Sequence, residues 1–172
     1  PTALTFGYGE RGKPFLPERP VRFNLSHSGD WALCALCLNH AVGVDIEFMR
    51  ADRELDKLAR RFFASSEAEA LAALPETQRV QGFYNCWTRK EAYIKACGDG
   101  LWRALDQFRV TLDPAQAPAL VWTEGDPGEA AQWTVVALDP APGYAAALAT
   151  RARVTTLRLA EWPLEDIDRW MP

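Results

Sequence analysis

The sequence lacks the features of several large classes of protein. It has no apolar run near the roughly 20 residues that a membrane-spanning helix needs, and no secretory leader is recognisable. We therefore expect a cytoplasmic protein that does not enter a membrane. Basic residues are not in excess either, because 19 lysines and arginines stand against 23 acids, for a net charge of −4. Broad nucleic-acid binding requires a basic face, so we expect no nucleic-acid partner.

Cysteine and histidine are few, and their spacing does not favour a redox or zinc site. The chain has four cysteines and two histidines, and its C-x-x-C pair, Cys34 and Cys37, has no second pair to complete a site. The surrounding segment has the pattern of an apolar strand, on which residues three apart point to opposite faces. We therefore interpret both cysteines as small, buried hydrophobic side chains in a reducing compartment.

The remaining composition is that of an ordinary globular protein, with 172 residues of which 48% are hydrophobic and 24% charged. Alternating apolar residues predict strands over residues 21–25, 31–38 and 41–46, with the last two forming a hairpin. Residues 26–30 are typical of a turn, and residues 39–40 of a short one.

Helical periodicity follows from residue 55 onwards. Helices are predicted over residues 55–63, from a cap at Ser65 or Ser66 to Leu74, and from a cap at Thr77 to about Cys97. Gly98 and Gly100 end the last helix. Strands are then predicted over residues 108–112, 119–122, 133–138, 144–149 and 154–159, with a short helix over 164–170. The fold class is therefore α+β, an antiparallel sheet packed against a few helices.

Asp45 and Glu47 form the first candidate site. They stand at i and i+2 of a predicted strand, so both side chains project from the same face. Two neighbouring carboxylates repel each other unless a cation lies between them. A site of hard oxygen ligands favours Mg²⁺, with Mn²⁺ as an alternative, over zinc. Glu91 is the third candidate ligand.

The long predicted helix carries a second set of candidates. Trp87, Glu91 and Lys95 are spaced four residues apart and lie along one face of that helix. An acid and an ammonium group there suit a metal ion and a phosphate-bearing ligand. Glu-to-Lys pairs at this spacing also decorate exposed helices, and acid pairs at strand ends are commonly solvated.

Two further cations precede the acid pair. His27 follows the first strand, so we expect its ring at the sheet edge beside Asp45, where it can donate to phosphate oxygens. Lys13 lies in a stiff Gly-Lys-Pro turn. Each of these residues has a plainer alternative, since a turn histidine and a loop lysine are usually solvated surface residues.

Taken together and in this order, these segments resemble the 4′-phosphopantetheinyl transferases of the larger, surfactin-synthetase-activating (Sfp) type. The matching segments are residues 12–14, 23–28, 43–47, 61–63 and 87–96, followed by Gly98, Gly100 and Leu101. Single segments such as Gly-Lys-Pro are weak signals, but their combination is highly specific. The resemblance covers roughly residues 5–150.

The resemblance implies a function and a role for each candidate residue. The family transfers the phosphopantetheine arm of coenzyme A to a serine of an apo acyl or peptidyl carrier protein and releases adenosine 3′,5′-bisphosphate. By this resemblance, Mg²⁺ is held by Asp45, Glu47 and Glu91, phosphate oxygens are bound by Lys95 and His27, and the adenosine and 3′-phosphate end is lined by Lys13, Pro14 and Ser26. Glu91 would also help to deprotonate the incoming serine. Lys90 and Trp87 would support the site, and a carrier docking patch would include Arg60, Arg61, Phe62 and Phe63.

The chain also departs from the family pattern. Sfp-type enzymes have two similar halves related by a pseudo-twofold axis, with the coenzyme in the cleft between them, and act as monomers. We expect residues 1–40 to be the last part of a truncated first half and residues 41–172 to be the second half. Such a piece would expose apolar surface where the rest of the first half packs. The smaller, trimeric holo-acyl-carrier-protein synthase type fits less well, because its Asp-x-Glu motif lies near the start of the chain.

Two other classes of function stay open from the residues alone. One is a different Mg²⁺-dependent phosphotransferase or phosphohydrolase that uses the same three acids. The other is a binding module that keeps the fold without catalysis.

Overall fold

The computed structural model describes residues 4–51, 54–98 and 103–162. Within these ranges the strands are β1 (Gly7–Tyr8), β2 (Pro14–Phe15), β3 (Val21–Ser28), β4 (Trp31–Leu38), β5 (Val42–Phe48), β6 (Phe108–Val110), β7 (Leu120–Thr123), β8 (Thr134–Leu138) and β9 (Tyr144–Thr150). The helices are α1 (Leu55–Phe62), α2 (Ser65–Ala73) and α3 (Glu76–Cys97), with short 3-10 helices at Leu105–Gln107 and Ala130–Gln132. The predicted helix over 164–170 and the motif residues Gly100 and Leu101 lie outside the described residues. The α+β class with antiparallel pairing is confirmed.

Helix α3 lies directly against the antiparallel sheet β5-β9-β8, and this contact forms the centre of the fold. The approach is close because the facing residues are small. Gly43 in β5 has no room for a side chain, since a Cβ there would collide with the carbonyl oxygen of Ala92 and the backbone nitrogen of Ala96. Asp45 and Glu47 follow Gly43 at two-residue steps and therefore face the same helix.

Strands β3 and β4 form an antiparallel hairpin whose two-residue turn begins at Gly29, which has a φ of 55°. The predicted hairpin between residues 31–38 and 41–46 is wrong, because β5 pairs through its main chain with β9. The turn predicted over residues 26–30 is shorter in the structure and comprises residues 29–30. Residues 26–28 continue β3, and their polar character arises because serines on this strand face β5 rather than solvent.

The predicted helices are present, with corrections at their N-termini. Helix α2 has Ala64 at its N-cap rather than a serine, and the Ala64 N–H donates to the Glu67 carboxylate at 3.0 Å. Helix α3 begins directly after Pro75, so Thr77 lies in its first turn and is not its cap. Gly98, at a φ of 76°, ends α3 as predicted. None of the helices in the described ranges combines the length and apolar character needed to cross a bilayer.

Four of the five strands predicted after α3 are present, with boundaries shifted by one or two residues. The strand predicted over residues 154–159 is wrong, because that segment has no regular structure. Leu157 and Leu159 there are 41% and 70% exposed, so the apolar positions of the segment are not buried against a sheet.

One face of the β3–β4 hairpin is apolar, and the described residues leave part of it uncovered. Leu25, Leu36 and Leu38 on this face are 58%, 68% and 64% exposed. Cys34 lies opposite Leu25 in the hairpin register and is exposed too, so its predicted burial is wrong. Cys37 points to the other face and is half-buried. We call Leu25, Cys34, Leu36 and Leu38 the open face of the hairpin.

Candidate active site

Strand β5 and helix α3 bring the predicted acids and the lysine together. Asp45 and Glu47 project from β5 toward α3, while Val44 and Ile46 are buried on the opposite face, as predicted. Glu91 and Lys95 stand one turn apart on α3 and share the side that meets β5. The two periodicities, of two on the strand and about 3.6 on the helix, therefore converge on one spot.

Asp45 is the most constrained residue of this cluster. Its carboxylate is 4% exposed, and Oδ1 accepts hydrogen bonds from Lys95 Nζ at 2.5 Å and from Ser26 Oγ at 3.0 Å. Lys95 Nζ also donates to Ser26 Oγ at 3.0 Å. Ser26, on β3, therefore completes a closed triangle of a carboxylate, an ammonium and a hydroxyl group.

The second carboxylate oxygen of Asp45, Oδ2, is buried and accepts no hydrogen bond from the described residues. Burial raises the pKa of Asp45 to about 7, although the charge of Lys95 opposes this rise; the charge of Glu47 adds to it. A buried acceptor without a donor is costly in a folded protein, so Oδ2 marks a position that suits a cation.

Glu47 and Glu91 complete the acidic side of the cluster, and both are half-buried. Glu47 Oε2 accepts a hydrogen bond from Ser28 Oγ at 3.3 Å. Burial raises the pKa of Glu91, Lys95 lowers it, and the charge of Glu47 raises it again. The structure therefore brings Asp45, Glu47, Glu91 and Lys95 within electrostatic reach of each other. We call these four residues the acid–lysine cluster.

The acid–lysine cluster fits Mg²⁺ as a partial shell. In the described residues no three His, Cys, Asp or Glu side chains converge closely enough to enclose a metal ion by themselves. Mg²⁺ seldom uses such a cage, and commonly takes one or two carboxylates while ligand phosphates and water fill the remaining positions. The all-oxygen donor set and the unsatisfied Asp45 Oδ2 match that chemistry.

His27 lies elsewhere than predicted. Its side chain is exposed, and it alternates with Ser26 and Ser28, which face β5. The ring therefore projects from the other face of β3, and the expectation that it lies beside Asp45 is wrong. Its role as a phosphate ligand stays a prediction.

Lys13 has a structural position that its sequence context did not predict. Its ammonium group donates to the carbonyl oxygens of Val42, Lys95 and Ala96 at 2.9, 2.5 and 3.1 Å. These bonds tie the N-terminal segment to β5 and to the C-terminal end of α3, where carbonyl groups favour a cation. Burial lowers the pKa of Lys13 to about 8.

A cavity of about 520 Å³ opens beside this lysine. Pro14, Phe15 and Phe23 supply apolar walls, and Arg11 and Arg22 supply positive charge near Lys13. Sequence reasoning found Lys13 and Pro14 but missed the two arginines. No local pattern could have found Arg22, because it reaches the cavity only through the folding of β3 beside the N-terminal segment.

Lys90 is buried away from the acid–lysine cluster. It is 0% exposed and pairs with Glu67 at 2.7 Å, while its ammonium also donates to the carbonyls of Leu105 at 2.7 Å and Phe108 at 2.5 Å. Glu67 in turn accepts the N–H of Val110 at 2.8 Å. This network joins α2, α3 and β6, in keeping with the predicted supporting role of Lys90.

Trp87 and the predicted docking residues meet in an aromatic cluster. Phe63 is 4% exposed and lies against Trp87, with ring centroids 6.3 Å apart, so it belongs to the core rather than to a docking surface. Phe62 is half-buried on Trp87 and carries Arg61 over its outer side at 5.1 Å. Arg60 and Arg61 are exposed at the end of α1.

Comparison with known sequences gives a consistent family. A sequence model described as the 4′-phosphopantetheinyl transferase superfamily matches residues 41–149. The chain is 39% identical over 153 residues to the 4′-phosphopantetheinyl transferase HetI of Nostoc, covering 87% of this chain and 61% of HetI. It is 38% identical over 110 residues to Sfp of Bacillus subtilis, covering 63% and 48%. Against AcpT of Escherichia coli the identity is 42% over 97 residues, covering 56% and 50%. The chain thus spans between about half and three-fifths of these relatives.

A solved structure supports the same fold. The holo-[acyl-carrier-protein] synthase AcpS of Thermotoga maritima matches with a TM-score of 0.51 at 23% identity, covering 64% of this chain and 61% of that one. The family match spans β5 and α3, which carry the acid–lysine cluster, and the relatives include Sfp, as the order of the motifs predicted. From this agreement we conclude that the chain belongs to the 4′-phosphopantetheinyl transferase superfamily and is of the Sfp type.

Proposed function

We propose that the protein containing this chain transfers the 4′-phosphopantetheine arm of coenzyme A to a serine of an apo acyl or peptidyl carrier protein. The observation that supports this most directly is the acid–lysine cluster, in which Asp45 keeps a buried, unsatisfied oxygen while Lys95 stands beside it. A cluster of this kind suits a ligand that brings phosphate groups together with a divalent cation.

In the proposed reaction the carrier serine oxygen attacks the phosphorus that bears pantetheine. The bond from that phosphorus to the bridging oxygen breaks, and adenosine 3′,5′-bisphosphate leaves with the electron pair. Glu91 accepts the serine proton, directly or through a water. Lys95 places its charge against the phosphate oxygens.

The acids Asp45, Glu47 and Glu91 would hold Mg²⁺, with Mn²⁺ as an alternative. When bound, the ion supplies positive charge that offsets the pyrophosphate and stabilises the leaving phosphate. Two of these carboxylates, Asp45 and Glu47, accept hydrogen bonds from Ser26 and Ser28.

The cavity beside Lys13 suits the adenosine and 3′-phosphate end of the coenzyme. Its apolar walls at Pro14, Phe15 and Phe23 can contact a flat base, and Arg22 offers charge to a phosphate. The three hydrogen bonds of the Lys13 ammonium to main-chain carbonyls argue that Lys13 shapes this cavity and that Arg22 contributes the stronger phosphate contact.

The division into two halves, at residues 1–40 and 41–172, is part of the proposal. The open face of the hairpin offers apolar surface for the remainder of a first half to cover. Full-length protein with both halves would have both walls of the cleft and act as a monomer. Arg60 and Arg61, exposed at the end of α1, would meet the acidic helix of the carrier.

Mass spectrometry of an apo carrier protein incubated with the full-length protein, coenzyme A and Mg²⁺ tests the proposal. The expected result is a mass gain of one phosphopantetheine arm. Asp45→Ala, Glu47→Ala and Glu91→Ala should each abolish the mass gain without unfolding the chain. The control Glu54→Ala, which removes an acid that is 70% exposed, should keep the mass gain. Nucleotide hydrolysis without any gain would support a phosphohydrolase instead, and coenzyme binding without transfer would support a binding module.

A further inference from the structure

The two edges of β5 are satisfied in different ways. One edge pairs through its main chain with β9. On the other edge, the N–H groups of Val44, Ile46 and Phe48 donate to side chains of β3 rather than to its main chain. The acceptors, at two-residue steps along one face of β3, are Asn24 Oδ1 at 2.8 Å, Ser26 Oγ at 3.3 Å and Ser28 Oγ at 3.0 Å.

A hydroxyl group at this edge can do what a main-chain carbonyl cannot. Ser28 Oγ accepts the N–H of Phe48 and still has a proton to donate, which it gives to Glu47 Oε2 at 3.3 Å. Ser26 repeats the arrangement one step earlier, accepting from Ile46 and donating to Asp45 Oδ1 at 3.0 Å. Each serine thus connects, through two hydrogen bonds, a main-chain N–H group of β5 to the carboxylate of the residue before it.

Asn24 shows what the edge alone requires. Its side-chain oxygen accepts the N–H of Val44, but the preceding β5 residue is Gly43, which has no carboxylate to orient. The switch from asparagine to serine therefore coincides with the appearance of an acid on β5. Asn24 therefore only accepts an N–H group at the strand edge, whereas each serine accepts an N–H group and also donates to an acid.

We propose that Ser28 is a positioning residue for Glu47, and this inference rests on the proposed metal site. Asp45 is held by both Ser26 and Lys95, whereas among the described residues Glu47 receives its side-chain hydrogen bond from Ser28. Without that bond the Glu47 carboxylate, which is half-buried and repelled by neighbouring acids, would rotate away from Asp45. Removing a residue that forms a hydrogen bond to a metal ligand typically lowers the metal affinity about 10- to 100-fold.

Direct Mn²⁺ binding to the chain, followed by the electron paramagnetic resonance signal of free Mn²⁺ with no coenzyme present, tests the inference. Ser28→Ala should weaken Mn²⁺ binding about 10- to 100-fold. Ser28→Thr, which keeps the hydroxyl group and suits a β-strand, should bind Mn²⁺ with nearly the wild-type affinity. Asn24→Ala removes an edge hydrogen bond of the same kind without touching an acid, so its Mn²⁺ affinity should stay close to wild type. If Ser28→Ala does not fold, Ser28→Cys keeps the size with a weaker donor and should show the same loss.

The outcomes separate this inference from the proposed function. Wild-type affinity in Ser28→Ala, or an equal loss in Asn24→Ala, would overturn the positioning role and leave the transferase proposal intact. Another outcome would support the positioning role and overturn the proposed function. In that outcome the wild-type chain binds Mn²⁺ and Ser28→Ala weakens this binding, but the full-length protein shows no transfer.

Discussion

Replacing Lys90 should destabilise the fold, whereas replacing Lys95 on the same helix should leave the chain folded and abolish the proposed transfer by the full-length protein. The side chain of Lys90 is fully buried and pairs with Glu67, which is 4% exposed. In Lys90→Ala the Glu67 carboxylate stays buried without its counter-ion. The carbonyls of Leu105 and Phe108 lose their donor at the same time.

The size of the effect follows from the burial of the pair. Removing one partner of a buried ion pair costs about 3–5 kcal/mol. For a chain of this length each kcal/mol lowers the midpoint of thermal unfolding by roughly 2–4 °C, so we expect a fall of about 6–20 °C. The double variant Lys90→Met with Glu67→Gln buries no lone charge, and the amide oxygen that Glu67→Gln introduces would still accept the Val110 N–H. We expect it to regain about half of the loss or more.

Lys95 differs because its partner has another way to lose its charge. Lys95 is 29% exposed, and burial has already raised the pKa of Asp45 to about 7, so Asp45 can take up a proton when the ammonium is removed. The free energy of unfolding of Lys95→Ala should therefore lie within about 2 kcal/mol of the wild-type value. The full-length protein with this substitution should show no transfer. Lys57→Ala is the matched control, since its pair with Glu54 is 73% and 70% exposed and is worth at most about 1 kcal/mol.

Circular dichroism melts and urea titrations measure the stability, and transfer is assayed below the lowest midpoint. The two lysines would be wrongly assigned if Lys90→Ala melted like wild type. The same would follow if Lys95→Ala lost as much stability as Lys90→Ala or kept full transfer. Wild-type melting of Lys90→Ala would mean that its buried network does not support α3. An equal loss of stability in Lys95→Ala would give Lys95 a structural role, and full transfer by that variant would mean that its ammonium group is not needed for the reaction.

Three further predictions concern single residues. In EDTA, Asp45 should make the chain less stable as pH rises from about 4 to about 7, because its folded pKa lies above its unfolded value and the buried group must then ionise. Asp45→Asn should flatten that fall in pH-dependent melts, and an unchanged slope would contradict the raised pKa. His27→Ala should lower turnover less than loss of any acid of the cluster, since it removes at most one phosphate contact; an unchanged rate would return His27 to a surface role. Arg22→Ala should raise the KM for coenzyme A about tenfold while leaving that for 3′-dephospho-coenzyme A nearly unchanged, and an equal change for both would place Arg22 away from the 3′-phosphate.

Local periodicity predicted most of the fold and half of the site. The acids at i and i+2 of β5 and the pair Glu91 and Lys95 on α3 follow from geometry that one element defines. The long helix and its end at Gly98 also follow from neighbouring residues. What periodicity could not predict is which strand lies beside which, since pairing between β5 and β9 joins residues about a hundred positions apart.

The errors share this cause. The composition of residues 26–30 predicts a turn, but Ser26 and Ser28 lie on β3 and face another strand. A strand that ends at Leu25 predicts His27 at the sheet edge beside Asp45, whereas the alternation of the longer strand puts its ring on the opposite face. Cys34 was expected to be buried because the strand is apolar, yet the open face is left uncovered by the described residues.

The balance of charge in the acid–lysine cluster explains why hydroxyl groups hold its acids. When ionised, Asp45, Glu47 and Glu91 carry three negative charges and Lys95 returns one, so an excess of two remains, which is the charge of one divalent cation. If arginines or lysines had replaced Ser26 and Ser28, that excess would be cancelled within the chain and the affinity for a cation would fall. A serine orients a carboxylate without neutralising it. The acids are thereby held without a fixed positive charge on β3, and the negative charge that they carry when ionised stays available to an ion that arrives with a phosphate ligand.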